Sequence, residues 1–444
     1  MTDSEGRLRG RLKRLSVGLA ATAALILVVR TGASVWSQSR LREYREATQA
    51  EWDAERAQIR ERSRPAGEGN AQQHCGASYA SLSGIQMQAH PEKIKRAIEA
   101  GPGAPLSPDL LADIERHRPE MDAFRQAARC SHYELTEDSA WVEYGPEWRF
   151  MSVSRLALIE GHELAARGDV RGALDRYLTV AKVGADMSAG SLIAGLVGMQ
   201  NATHAYRAVA ALVAGAPRLH AAELADLDQA LAERGRNLPL LADALRKERL
   251  RLRKAVMSLI DTGALPDQLP PEVRRPIGAI ALRTVLSESI LVGHALPRMD
   301  AWLRDAEQIA RQAQRDVSQS ARVQEIAIDS LAFYATELNP TMSAELLQDL
   351  AGRDCALRTS YLVARATVEA ERAYADGVYP EALRSLAQDI CGIGPLVYRR
   401  SPSGEGYTLS SVGDDGNADG ARAAGGTTRE NVGIVITRRG ASVL

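Results

Sequence analysis

Residues Val153 to Met187 read VSRLALIEGHELAARGDVRGALDRYLTVAKVGADM. Apolar positions recur at helical spacing on both sides of Arg167-Gly168-Asp169, which predicts two amphipathic helices broken at that turn. The pattern extends outward. Upstream, Ser107 as N-cap, Pro108 at the first helical position and the early acids Asp109 and Asp113 write a helix start. Leu110, Leu111, Ile114, Met121, Phe124 and Ala128 carry the period up to Cys130. Downstream, helices are expected at Ser188–Ala214, Ala221–Arg234, Leu238–Thr262, Arg275–His294, Met299–Arg315, Ser318–Leu338, Ser343–Leu350 and Arg353–Asp376, with Gly or Pro in the breaks. Aromatic residues make up only 5% of a chain rich in Ala, Leu and Arg, a composition suited to close helix packing. The expected fold is mainly α: an N-terminal transmembrane helix, a helical-hairpin, solenoid-like body and a small antiparallel β module at the C-terminus.

Within the opening segment, Gly168, Asp169, Ala173, Tyr177 and Val180 fall where a tetratricopeptide repeat carries its turn Gly-Asp, its small Ala, its aromatic and its small apolar residue. The hairpin therefore resembles one tetratricopeptide unit. The small residue lets two helices approach, and the aromatic fills the gap one turn on. That resemblance implies a helical body, residues 75–376, that presents a surface to a protein partner.

The chain has 444 residues, enough for two or three domains, and is 45% apolar and 25% charged. With 55 Lys and Arg against 56 Asp and Glu, no global field recruits nucleic acid, which is excluded as an expected partner. At the N-terminus a basic tail, residues 1–14, precedes the uncharged run Leu15 to Val29. That run spans only about 22 Å as a helix, short of the roughly 30 Å hydrocarbon core. If Arg30 snorkels, the helix continues to the interfacial Trp36 and spans the membrane as a signal anchor; the alternative is a cleaved signal peptide. Arg7, Arg9, Arg11, Lys13 and Arg14 favour a cytoplasmic N-terminus and a periplasmic body, at a bacterial inner membrane. A charged, Pro- and Gly-free segment, residues 39–64, follows. Its sparse apolar residues Leu41, Tyr44, Trp52 and Ile59 suggest a helical stalk or a helix that pairs with one partner.

Four cysteines, Cys75, Cys130, Cys355 and Cys391, could close two local bridges, 75–130 and 355–391, among three connectivities, or remain buried thiols. No zinc or haem spacing occurs. Gly161-His162-Glu163 begins like a metalloprotease helix, but Ala166 occupies the place of the second histidine. His162 and His204 read as partners of neighbouring polar groups. In Leu238 to Ile260 a leucine stripe leaves Arg246, Lys247, Arg249, Arg251, Arg253 and Lys254 on other faces, either a solvated surface or a patch for an acidic partner or lipid headgroups. With no catalytic set in view, the chain is not expected to be an enzyme.

The pattern changes at Gly377. Strand-like runs Leu396–Tyr398, Tyr407–Val412 and Val432–Ile436 follow a long helix, with a glycine–aspartate loop before the last. Gly377, Tyr379, Pro380, Leu383, Leu386, Pro395, Tyr398, Tyr407, Leu409, Ser411, Gly413, Asp415 and Gly416 stand where the type II secretion major pseudopilins carry their C-terminal motif, so residues 377–440 resemble that module. The prepilin-type start of that family is not seen before the expected anchor, and a pilus subunit is not expected. The resemblance implies a calcium loop, for which Asp414 or Asp415, Asp419, Glu430 and the carbonyls near Leu409 and Val412 could supply oxygens; otherwise the loop is a solvated turn. The function expected is a membrane-anchored, periplasm-facing, non-catalytic adaptor with a protein partner. An accessory part of a secretion or pilus-like machine is the alternative, and an enzyme of unrecognised type a further one.

Overall fold

The computed structural model describes residues 28, 31–32, 35–58, 90–130, 145–188, 192–215, 219–236, 238, 241–262, 296–313, 344–384, 386–388, 395–411 and 435–438. These are mainly helical, with a small antiparallel sheet at the C-terminal end. The helices are α1 (35–58), α2 (Pro91–Ala100), α3 (Pro108–Arg116), α4 (Arg118–Ala127), α5 (Gly145–Ala166), α6 (Val170–Ser188), α7 (Leu192–Gly215), α8 (Ala221–Arg236), α9 (Leu241–Thr262), α10 (Leu296–Ala313) and α11 (Ala344–Arg372). The strands are β1 (Val397–Arg400), β2 (Tyr407–Ser410) and β3 (Val435–Arg438), in that order across the sheet.

The turn in the opening segment has a complete physical explanation. Gly168 takes the left-handed conformation, φ 83°, and its N–H and that of Asp169 bond the carbonyls of Ala165 and Leu164 at 3.0 and 2.9 Å. This is the Schellman closure that glycine permits without a Cβ penalty. Asp169 then caps α6, its Oδ1 accepting from the Gly172 N–H at 2.9 Å. One dipeptide ends a helix and starts the next. Ala173, Tyr177 and Val180 are fully buried against α5, and the Tyr177 ring lies so close to Gly161 that a Cβ there would meet it at 2.4 Å.

Helix α7 is the centre of the body, packed against α5, α6, α9 and α11. Small residues set its approach to α6: a Cβ on Gly184 would meet the Gly198 carbonyl oxygen at 2.7 Å, and one on Gly198 would meet that of Gly184 at 2.3 Å. Each glycine forgoes about 1 kcal/mol of helix propensity, and the backbone-to-backbone packing it allows offsets that. Glu248 of α9 accepts from the Leu192 N–H at 3.2 Å, satisfying an orphan donor at the α7 N-terminus.

Three boundaries differ from the sequence reading. The single helix expected from Ser107 to Cys130 is two, α3 and α4, divided at His117 because Pro119 in the first turn of α4 cannot donate. The two helices expected around Gly352 are one, α11, running through that glycine, which costs about 1 kcal/mol and does not break the ladder. Helix α2 was not read at all; Pro91 opens it and Gly101, φ 76°, ends it. The expected helices at 275–294 and 318–338 lie outside the described residues.

The charged segment after the expected anchor does not stand clear as a stalk. Ser37, Leu41, Thr48, Trp52 and Glu55 form a buried stripe of α1. Its carboxylates meet α9: Glu55 pairs with Arg246 at 2.8 Å, and Glu51 with Arg249 at 2.8 Å and Arg253 at 3.2 Å. Arg253 also lies over the Tyr44 ring, 5.9 Å from its centroid. From α10, Asp300, 1% exposed, pairs with Arg249 at 3.3 Å and contacts Arg253 and Arg304. Asp243 and Glu248 hold Arg246 and Arg251, each at 2.9 Å. Arg246, Arg249 and Arg253 of the basic run of α9 are therefore covered by acids of the same chain.

The C-terminal sheet is docked onto the body, with β2 against α11 and β3 against α7. It begins with a two-residue turn in which Asp376 and Gly377 both have positive φ, 52° and 84°, and Ala375 and Val378 exchange backbone hydrogen bonds at 3.1 and 2.9 Å. This Asp-Gly pair makes the mirror-image turn that suits strand twist. Tyr379 and Tyr407 are buried, their rings edge to face at 4.9 Å. Both hydroxyls donate to Glu371 of α11, at 2.9 and 3.1 Å to Oε1. The Pro380 carbonyl accepts from the Tyr398 hydroxyl at 3.0 Å, while burial pushes that hydroxyl up to about 12.

Candidate functional site

Polar side chains of the body gather where α5, α6, α7 and α11 meet. His162 comes from α5, and its Nδ1 lies 2.6 Å from the Tyr177 hydroxyl of α6. Burial lowers the His162 ring from 6.5 to about 4 and pushes the Tyr177 hydroxyl far up, so both are neutral near pH 7. Glu163, the other member of the incomplete metalloprotease motif, binds Arg167 at 2.8 Å. His162 thus joins the two arms of the hairpin, while Glu163 pairs within the end of its own helix. Glu160, one turn earlier, joins three helices, accepting from Arg118 at 2.5 Å and from Arg176 at 2.6 Å.

Next to the His162–Tyr177 pair lies a group that the sequence reading did not assemble. On α7, Gln200, His204 and Arg207 share a face by helical spacing. On α11, Arg353 donates to Gln200 Oε1 at 2.7 Å and Ser360 receives the Arg207 Nε–H at 3.4 Å, so the two helices run side by side in the same sense. Arg155 comes from α5. His204 is lowered to about 4, by burial first and then by the positive charges of Arg207, Arg155 and Arg353. For Arg155 and Arg207, burial lowers the guanidinium.

Acid should weaken this fold in a defined window. An unfolded histidine takes its proton near 6.5, whereas His162 and His204 folded take theirs near 4. The unfolded chain therefore binds more protons between those values. The contribution is complete above 6.5 and is lost as the pH falls towards 4. Each histidine is expected to cost about 2 kcal/mol by roughly pH 5. A urea midpoint that falls between pH 7 and pH 5, with the drop about halved in His162→Gln, is the expected result.

Of the residues singled out in the sequence, Gly168, Ala173 and Tyr177 come together in the α5–α6 hairpin, and Tyr379 and Pro380 at the sheet. Asp414, Asp415, Asp419, Glu430, Gly413 and Gly416, the expected calcium loop, lie outside the described residues, as do Leu15, Val29 and Arg30 of the expected anchor. Trp36 is described and is 45% exposed. Among the described residues no helix is long and apolar enough to cross a membrane, and no group of His, Cys, Asp and Glu could hold a metal ion. Cys355 is disulfide-bonded. Cys130 is buried with its Sγ 3.8 Å from the Gln126 carbonyl oxygen, while Cys75 and Cys391 lie outside the described residues. No protein-family model, curated protein or solved structure matches the chain.

Proposed function

We propose that this chain is a membrane-anchored, periplasm-facing adaptor at a bacterial inner membrane, whose solenoid-like helical body binds a protein partner without catalysing a reaction. The observation that carries the reading is where apolar side chains are exposed. Val28, Val35 and Trp36 are 69%, 64% and 45% exposed, all in helical residues leading from the uncharged run into α1. Such residues suit an acyl chain and an interface better than water. From there α1 is locked to α9 by ion pairs, so the body would be coupled to its anchor without a swinging linker. The bonded Cys355 fits an oxidising compartment. In the body, His162, in the start of a catalytic-looking motif, is engaged with Tyr177 of the neighbouring helix, and Glu163 is paired with Arg167.

In-cell crosslinking of the full chain, followed by capture from detergent-solubilised membranes, tests the adaptor reading. A reproducible protein partner is expected, in the membrane fraction. Repeated recovery of the chain alone would contradict it.

A further inference from the structure

We infer that the lock between α1 and α9 is releasable, and that the face α1 covers, Arg246, Arg249 and Arg253, is a docking surface for an acidic helix of a protein partner, one that carries two carboxylates a turn apart. The docking half rests on the adaptor reading; the release of α1 does not.

Each guanidinium that α1 engages also has an acid from the body. Arg246 meets Glu55 of α1 at 2.8 Å and Asp243 of α9 itself at 2.9 Å. Arg249 meets Glu51 of α1 at 2.8 Å and Asp300 of α10 at 3.3 Å. Arg253 meets Glu51 at 3.2 Å and contacts the same Asp300. Removing one side of a buried ion pair is costly because a charge is left buried without its counter-charge. That cost is reduced when α1 leaves, since Asp243 and Asp300, both buried, stay with the arginines. On the departing helix Glu51 is already half-exposed, and in water neither Glu51 nor Glu55 needs a partner.

What α1 leaves behind fits an acidic helix. Arg246, Arg249 and Arg253 recur three and four residues apart, on one face of α9. Without α1 these three guanidiniums keep two carboxylates, Asp243 and Asp300, and Asp300 is shared with Arg304 as well, so the face turns positive. Helix α1 shows what the face accepts: Glu51 and Glu55 four residues apart, the buried Trp52 beside them, and the Tyr44 ring 5.9 Å from the Arg253 guanidinium. A partner helix with the same two carboxylates competes with α1 for the arginines. Whatever draws away the N-terminal segment ahead of α1 therefore opens the face.

The test compares the full chain in detergent with its Glu51→Lys/Glu55→Lys variant, in which attraction between α1 and the arginines becomes repulsion. Limited chymotrypsin is expected to cut the variant at Tyr44 and Trp52 about tenfold faster or more, with cutting in α6 and α7 unchanged. A labelled synthetic peptide of residues 35–58 should then bind the variant at least about tenfold more tightly than it binds the parent chain, whose own α1 occupies the face. The same peptide with both glutamates changed to lysine should not bind. Cutting in α1 that stays slow, or that rises only together with cutting in α6 and α7, would overturn the release, because α1 would then be an integral part of the fold. A variant cut faster in α1 alone that takes up no peptide would overturn the docking surface. Neither result depends on whether crosslinking captures a partner in cells, so this inference and the adaptor reading fail separately.

Discussion

Replacing Asp300 with alanine is expected to lower the stability of the body by about 3–5 kcal/mol, the cost typical of breaking a buried ion pair from one side. Asp300 is buried and faces Arg249, Arg253 and Arg304 at once. Glu51 also reaches Arg249 and Arg253 but is itself 39% exposed, so it cannot replace the lost charge in full. The loss should appear as a lower urea midpoint with early protease cutting in α1, since that helix is held to α9 by the same arginines. Glu51→Gln should have the same direction and a smaller size. Asp300→Asn tests charge against shape: if the asparagine variant is as stable as the parent, the carboxylate's charge is not what holds the junction.

The second large effect is expected at Glu371. This carboxylate receives the hydroxyls of Tyr379 and Tyr407, both almost fully buried, one on the approach to the sheet and the other in β2. Glu371→Ala withdraws a charged acceptor from two buried donors, each worth about 1–3 kcal/mol when orphaned. A total loss of about 3–5 kcal/mol is expected, with the near-ultraviolet dichroism of the tyrosine cluster reduced first. Tyr379→Phe and Tyr407→Phe should each cost less, because each deletes the donor together with the need for it. If Glu371→Ala is no worse than either phenylalanine variant, the carboxylate does not join the sheet to α11.

The helical class was legible because its signals are local. In Gly168-Asp169 a left-handed glycine closes one helix and an aspartate caps the next, and both roles follow from residue type. Ala173 and Tyr177 were singled out by the resemblance to a tetratricopeptide hairpin, and both are buried. Asp376-Gly377 marked the entry to the sheet. What was misread depended on partners distant in sequence. The packing partner of α1 could not be read from the segment itself: Glu51 and Glu55 lie beside Trp52, and the arginines they meet are about two hundred residues away. The basic run of α9 was misread for the same reason from the opposite side. Gly352 suggested a break because its propensity cost is local, whereas the packing of α11 against α7 and α8 is not. The contacts of Gln200 and Arg207 with Arg353 and Ser360 had no sequence signal, since they join two helices about 150 residues apart and no motif spans them.

The adaptor proposed above needs its body outside the cytoplasm, held by its N-terminal segment. Protease added to spheroplasts of cells making the full chain tests this directly. The predicted result is that the body is digested without lysis while the chain sediments with membranes, and that Cys355 is blocked to alkylation until a reductant is added. A body protected until the cells are lysed, with a Cys355 thiol that alkylates at once, would contradict it.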